Sequence, residues 1–185
     1  MKFNTLLIFM LLSFWGNAQN SSTIGVSYFG EMIGHPGLSF CYEKDFYSFQ
    51  KVKMDKAQVQ KKRTFFYGLE IGGFHHKNAL NTGFSQIMVG FRKTGYKGRI
   101  WSASLGNGGF IGSIPNSFKI EDGVVSEVKS RHYYTMHSLN FSYGKKVSWF
   151  GGSQWFLSPT FYIKQPAFPK YTAHFALRMG LKKTL

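Results

Sequence analysis

From Thr172 to Lys182 the chain alternates strictly between apolar and polar positions. Ala173, Phe175, Leu177, Met179 and Leu181 fall on one side; Thr172, His174, Ala176, Arg178, Gly180 and Lys182 fall on the other. Successive side chains of a β-strand leave opposite faces, so the segment predicts a strand with one greasy and one polar face. Weaker copies recur upstream. Thr23–Gly30 sets Ile24, Val26 and Tyr28 against Gly25, Ser27 and Phe29, and Leu38–Phe49 holds Leu38, Phe40 and Tyr42 roughly in phase. Thr64–His75 sets Phe65, Tyr67, Leu69 and Ile71 against Phe66, Gly68, Glu70 and Gly72. Gly83–Arg92, Arg99–Gly106, His132–Gly144 and Gln154–Lys164 bring the predicted strands to eight. No segment of helical period and useful length interrupts them.

The stretches between predict the connections. Gly34-His35-Pro36-Gly37, Asn78–Thr82 and Lys93–Gly98 read as turns, and Gln165–Lys170, with two prolines, leads into the last strand. Gln50–Arg63 is basic, rich in glutamine and almost free of aromatics, which predicts an exposed loop or an extension of the flanking strands. From Asn107 to Arg131 the alternation fades among glycines, Pro115 and Asp122-Gly123. This predicts the longest loop, and a loop of that length is a candidate contact region.

Lys2, the apolar run Leu6–Trp15 and the small and polar residues Gly16–Gln19 together read as a secretory signal peptide. The run is too short for a membrane-spanning helix, which needs roughly 20 residues. Cleavage after Gln19 would leave residues 20–185 as one domain of 185 − 19 = 166 residues. Eight strands then have about 21 residues each with their connections, ample where a membrane-crossing strand needs roughly 9–11. The single cysteine, Cys41, offers no internal disulfide. A secreted chain without disulfides needs another source of stability, and closing a barrel is one. The formal charge of +15 favours anionic partners. For an exported chain these are outer-membrane lipid and lipopolysaccharide phosphates rather than nucleic acid.

Alternation by itself admits two architectures. In a secreted β-sandwich the polar face meets water; in a membrane barrel the greasy face meets lipid and the polar face lines the lumen. Two features favour an all-β, eight-stranded antiparallel up-and-down transmembrane barrel. Aromatics gather at predicted strand ends (Phe46, Tyr47, Tyr133, Tyr134, Trp149, Phe150, Trp155, Tyr171), as an interfacial girdle would place them. The polar faces are mostly glycine, serine and asparagine, with isolated charges at Glu70, Arg92 and Arg178. A narrow barrel fills its interior with side chains, and a charge there needs a partner, so these three are the expected lumen ion-pair network.

The H-P-G-L piece at His35–Leu38, the strand F-Y-G-L-E-I-G-G-F-H-H, and the run S-P-T-F-Y-I-K-Q-P-A-F-P resemble small Bacteroidota-type outer-membrane β-barrel proteins. The resemblance covers most of the chain beyond Gln19. It implies an eight-stranded barrel in the outer membrane with a structural or surface-interaction role. A terminal aromatic, common in such barrels, is replaced here by Leu185.

The competing class is a barrel that binds or modifies a lipid or another small hydrophobic molecule, such as a lipid A deacylase. The fragment His137-Ser138-Leu139-Asn140 resembles the histidine–serine element of those enzymes. Adjacent strand residues face opposite ways, however, so His137 cannot reach Ser138 as a base must. The pair His75-His76 diverges for the same reason and has no cysteine or carboxylate at ligand spacing. Gly106-Asn107-Gly108-Gly109 opens no helix and so cradles no phosphate. No catalytic, metal or cofactor site is expected.

Overall fold

The computed structural model describes residues 21–31, 35–53, 59–76, 80–95, 97–121, 124–148, 151–165 and 172–185. These form eight strands: β1 (Ser22–Glu31), β2 (His35–Lys53), β3 (Val59–His76), β4 (Leu80–Thr94), β5 (Arg99–Glu121), β6 (Val124–Lys146), β7 (Gln154–Gln165) and β8 (Thr172–Thr184). Each pairs antiparallel with its neighbour in sequence, and β8 returns to β1 from Thr23↔Thr184 to Glu31↔Ala176. The result is a closed up-and-down barrel. The barrel removes the soluble sandwich from consideration, because closure leaves no pair of sheets to stack. The proposed signal segment lies outside the described residues, and among those described no helix is long and apolar enough to cross a membrane.

The barrel has two ends. At the near end β1 starts and β8 finishes; at the far end lie the β1–β2, β3–β4, β5–β6 and β7–β8 connections. The β4–β5 turn at the near end is tight. Gly95 N–H donates to the Arg99 carbonyl at 2.8 Å and Gly98 N–H to the Gly95 carbonyl at 3.1 Å. Gly98 does so at a φ of 70°, a left-handed conformation that glycine adopts without steric cost.

Side-chain parity follows the sequence pattern, inside out. Ile24, Val26, Leu69, Ile71, Ile87, Val89, Leu105 and Met179 are exposed on the outer wall, while Ser27, Ser39, Glu43, Glu70, Gln86, Asn140 and Ser158 are buried within. A soluble protein buries its apolar face; here that face is the one left uncovered.

Several expected connections are corrected. His35–Gly37 does not form a turn but opens β2, with His35 opposite Glu31 and Gly37 opposite Phe29. Asn78–Thr82 gives up Leu80–Thr82 to β4, and Lys93–Thr94 likewise belongs to β4 rather than to the following turn. For Gln50–Arg63 the strand-extension reading fits: β2 runs through Lys53 and β3 begins at Val59, with 54–58 outside the described residues. The weak alternation of β2 has a cause. The register shifts between Asp45 and Tyr47, and this bulge reverses the parity, so Asp45 is buried while Tyr47 and Phe49 are exposed.

The largest correction concerns Asn107–Arg131. It is a hairpin, with β5 and β6 paired from Arg99↔Lys145 to Glu121↔Val124 and a register shift between Pro115 and Ser117. Pairing with β4 stops at Gly112 and pairing with β7 begins at Thr135, so beyond those points the two strands form a ribbon on their own. A free ribbon has no lumen on one side, so nothing demands alternation there, and glycine and proline blurred what remained. The ribbon reaches roughly 30 Å past Gly112 at the rise of a β-strand.

Candidate functional site: the two-layered lumen

Inward parity on β3 brings Glu70 into the barrel, and inward parity on β8 brings Arg178 opposite it. These strands are not neighbours, so the contact crosses the lumen. Arg178 Nη1 donates to Glu70 Oε1 at 2.5 Å, with Glu70 only 1 % exposed. Gln86 Nε2 donates to the second Glu70 oxygen at 2.7 Å, Ser138 Oγ donates to Gln86 Oε1 at 2.6 Å, and Asn140 Nδ2 continues to Ser138 at 3.3 Å. Arg178 Nη2 also reaches Ser158 Oγ at 3.3 Å. One carboxylate is thereby tied to β4, β6, β7 and β8. Backbone room is part of the arrangement: a Cβ at Gly106 would collide with Gln86 Oε1 and Ser138 Oγ.

Arg92, the third predicted member, does not join Glu70. It donates to Glu43 and, at 3.4 Å, to Asp45 Oδ1. Lys182 Nζ adds a 2.5 Å contact to Glu43 Oε1, and Ser21 Oγ donates to Asp45 Oδ2 at 2.6 Å. The expected single network is therefore two clusters, stacked along the barrel axis. Glu43, Asp45 and Lys182 were absent from the sequence-based set, although a signal existed: with Leu38, Phe40 and Tyr42 outward, positions 41, 43 and 45 must point in. Glu43, Asp45 and Glu70 are met by Arg92, Arg178 and Lys182, so the charges of these two clusters balance. Phe66 and Phe156 lie beneath the cations, with Arg92 4.8 Å and Lys182 4.7 Å from the ring centres.

Toward the far end the lumen changes character. Phe29, Phe74, Phe84, Phe110, Met136, Tyr162 and Ala176 form a buried apolar cluster. Phe29 lies 5.0 Å from Phe84 and 5.7 Å from Phe74, which is 5.8 Å from Phe110. Lys164 Nζ sits 3.9 Å above the Phe110 ring and His174 stacks on Tyr162 at 5.1 Å. Tyr134, expected in an outer girdle, instead turns inward against this cluster. The reason is parity: Tyr133, one residue before it, takes the outward position and is 69 % exposed.

A cavity of about 20 Å³ remains in the lumen beside Glu70, Arg178 and Asn140, enough for one water molecule and too small for an organic ligand. A much larger groove of about 570 Å³ lies on the outer wall, lined by Ile24, Val26, Phe40, Leu69, Ile71 and Leu181. Its open apolar walls are continuous with the exposed face, and Ser153, Lys182 and Lys183 add polar atoms to its lining, whereas the small lumen cavity is bounded by the buried charged network. His137 is exposed while Ser138 is buried, so the only histidine–serine neighbours diverge as their spacing requires.

At the near end, outward aromatics touch in two arcs. Phe65 lies 6.2 Å from Phe46, 6.3 Å from Tyr47 and 5.2 Å from Phe91. Tyr143 lies 4.6 Å from Trp101 and 5.9 Å from Trp155. Trp149, Phe150 and Tyr171 lie outside the described residues.

No protein-family model and no curated protein sequence matches the chain. Among solved structures it is similar to the N-terminal β-barrel domain of Pseudomonas aeruginosa OprF, at 12% identity and a TM-score of 0.47, over 90% of this chain and 100% of that one. It is also similar to Ail, the attachment invasion locus protein of Yersinia pestis, at 8% identity and a TM-score of 0.45, again over 90% and 100% of the two chains. The β domain of the Bordetella autotransporter BrkA is similar at 7% identity and a TM-score of 0.33, covering 91% of this chain and 100% of that domain. The barrel assignment rests on the strand pairing itself.

Proposed function

We propose that the protein is an outer-membrane β-barrel with a filled lumen, acting as a structural or surface-interaction protein rather than as a channel or an enzyme. The carrying observation is the inside-out wall: apolar side chains exposed around the whole circumference and polar ones buried within, the acids among them ion-paired. Water disfavours such a surface by about 25 cal/mol for every Å² of apolar area, whereas a hydrocarbon layer accepts it. Closure supports the same reading, because lipid leaves no partner for an open strand edge. The β5–β6 ribbon is the proposed contact element, and outer-membrane lipid, including lipopolysaccharide, is the proposed surrounding.

Fractionation tests the membrane part. The protein should be recovered with the outer membrane and migrate faster on a gel before boiling than after. Recovery in the soluble periplasm would overturn the reading. In planar bilayers the purified barrel should give no steady conductance, since paired charges and rings occupy the lumen. Lipid A extracted with and without the protein should be identical, and a lost acyl chain would restore the enzymatic class.

A further inference from the structure

The excess positive charge is not spread evenly. At the near end, Lys61, Arg63, Lys93, Arg99, Lys145 and Lys183 are all exposed at outward-facing strand positions. Four of them sit two residues beyond an outward aromatic on the same strand: Arg63 beyond Phe65, Lys93 beyond Phe91, Arg99 beyond Trp101 and Lys145 beyond Tyr143. Two residues is about 7 Å of strand, which sets the charges just outside an aromatic belt.

The pairing makes this costly for the protein alone. Arg63 lies directly opposite Lys93, and Arg99 directly opposite Lys145. Like charges in those positions repel, and a sheet normally places an acid between or across from them. None of the six forms an ion pair among the described residues, and the near-end acids Glu43 and Asp45 are both turned into the lumen, held by Arg92 and Lys182. Asp55, in the β2–β3 connection, lies outside the described residues. A belt of outward cations without counter-ions among the described residues, above aromatic rings, is complementary to a layer of anionic headgroups.

We propose that this near-end ring of basic residues binds the headgroups of anionic phospholipids, and so seats the barrel in the leaflet facing the periplasm. The inference rests on the membrane-barrel reading above. The leaflet follows from the fold. A barrel inserted from the periplasm keeps the start of its first strand and the finish of its last on that side, with tight turns there and longer excursions outward. The near end carries both strand ends, the Gly95–Gly98 turn and the shorter β2–β3 extension, and the far end carries the longer β5–β6 ribbon.

The test uses the full barrel refolded in phosphatidylcholine vesicles containing phosphatidylglycerol. Trp101 and Trp155 sit beside Lys93 and Lys145 in the pairing, so their quenching by brominated phosphatidylglycerol against brominated phosphatidylcholine reports the local lipid. Wild type should prefer phosphatidylglycerol. Lys93→Gln/Arg99→Gln/Lys145→Gln should lose on the order of a hundredfold of that preference, from a roughly fivefold contribution by each surface cation. The charge-matched far-end variant Lys119→Gln/Lys129→Gln/Arg131→Gln should keep it. Equal quenching by both lipids in a wild-type barrel that has inserted would overturn the inference while leaving the membrane reading intact. Failure to insert in either vesicle would instead overturn the membrane reading. Stronger displacement of the brominated lipid by lipid A than by phosphatidylglycerol would overturn the choice of phospholipid. For sidedness, Lys97→Cys with Cys41→Ser should react with an impermeant maleimide only after the outer membrane is permeabilised; labelling in intact cells overturns the orientation.

Discussion

The two halves of the lumen solve one packing problem with opposite chemistry. Near the strand ends of β1 and β8, Glu43, Asp45 and Glu70 are neutralised by Arg92, Arg178 and Lys182. Toward the ribbon, Phe29, Phe74, Phe84, Phe110 and Tyr162 fill the same bore with rings. A charge in a narrow bore is stable only while its partner remains, so the polar half is coupled across strands. A ring loses contacts in proportion to the atoms removed, so the aromatic half should respond locally. Burial alone does not set the cost of a substitution; what is left behind does.

Glu70→Leu should show this most strongly. It strands Arg178 with a single serine contact, and a broken buried pair costs about 3–5 kcal/mol. Urea titration of the barrel refolded in vesicles would measure it, and adding Arg178→Leu should restore most of the loss. If the double variant is as unstable as the sum of the single ones, the two residues are not coupled and the contrast fails.

Phe110→Ala should come next, at about 3 kcal/mol by the usual cost of a truncated core ring. Its effect should add to that of Glu70→Leu within about 0.5 kcal/mol, as for sites without shared partners. Strong non-additivity in the same titration would mean that the layers form one unit.

Gly90→Val probes the polar half without touching a charge. A Cβ there meets Phe66 Cζ at 2.5 Å and the Ala103 carbonyl at 2.7 Å, so the ring beneath Arg92 must move. Overpacking of this kind costs about 2 kcal/mol. A Gly90→Val barrel with an unchanged urea midpoint would show that the lumen is looser than its contacts suggest.

Arg92→Lys should have the smallest effect, about 1 kcal/mol. The charge stays but the planar fork that reaches both Glu43 and Asp45 is lost. A loss as large as that of Glu70→Leu would mean that the two-acceptor geometry, rather than the charge, holds this cluster.

Much of this was legible along the chain. Strict alternation assigned faces correctly on β3, β4, β7 and β8, because each of those strands is walled by the lumen on one side throughout. It located Glu70 and Arg178 inside before any contact was known. It lost β2 at the bulge by Phe46, where one extra residue inverts the parity, and it lost the outer reaches of β5 and β6, where no lumen exists to impose a pattern. The outward basic ring was less readable: Lys93 and Arg99 flank one turn, but Arg63 and Lys145 are distant in sequence and join them only once the strands pair.

Alternation along the chain was enough to set eight strands, the two faces of their lumen-walled parts and hence a barrel wall turned inside out, because a period of two is local and survives any arrangement of neighbours. Partner choice came from the closed ring. Whether Arg92 meets Glu70 or Glu43 depends on strand register and shear around a closed ring, and no local pattern encodes the level at which two non-adjacent strands face each other.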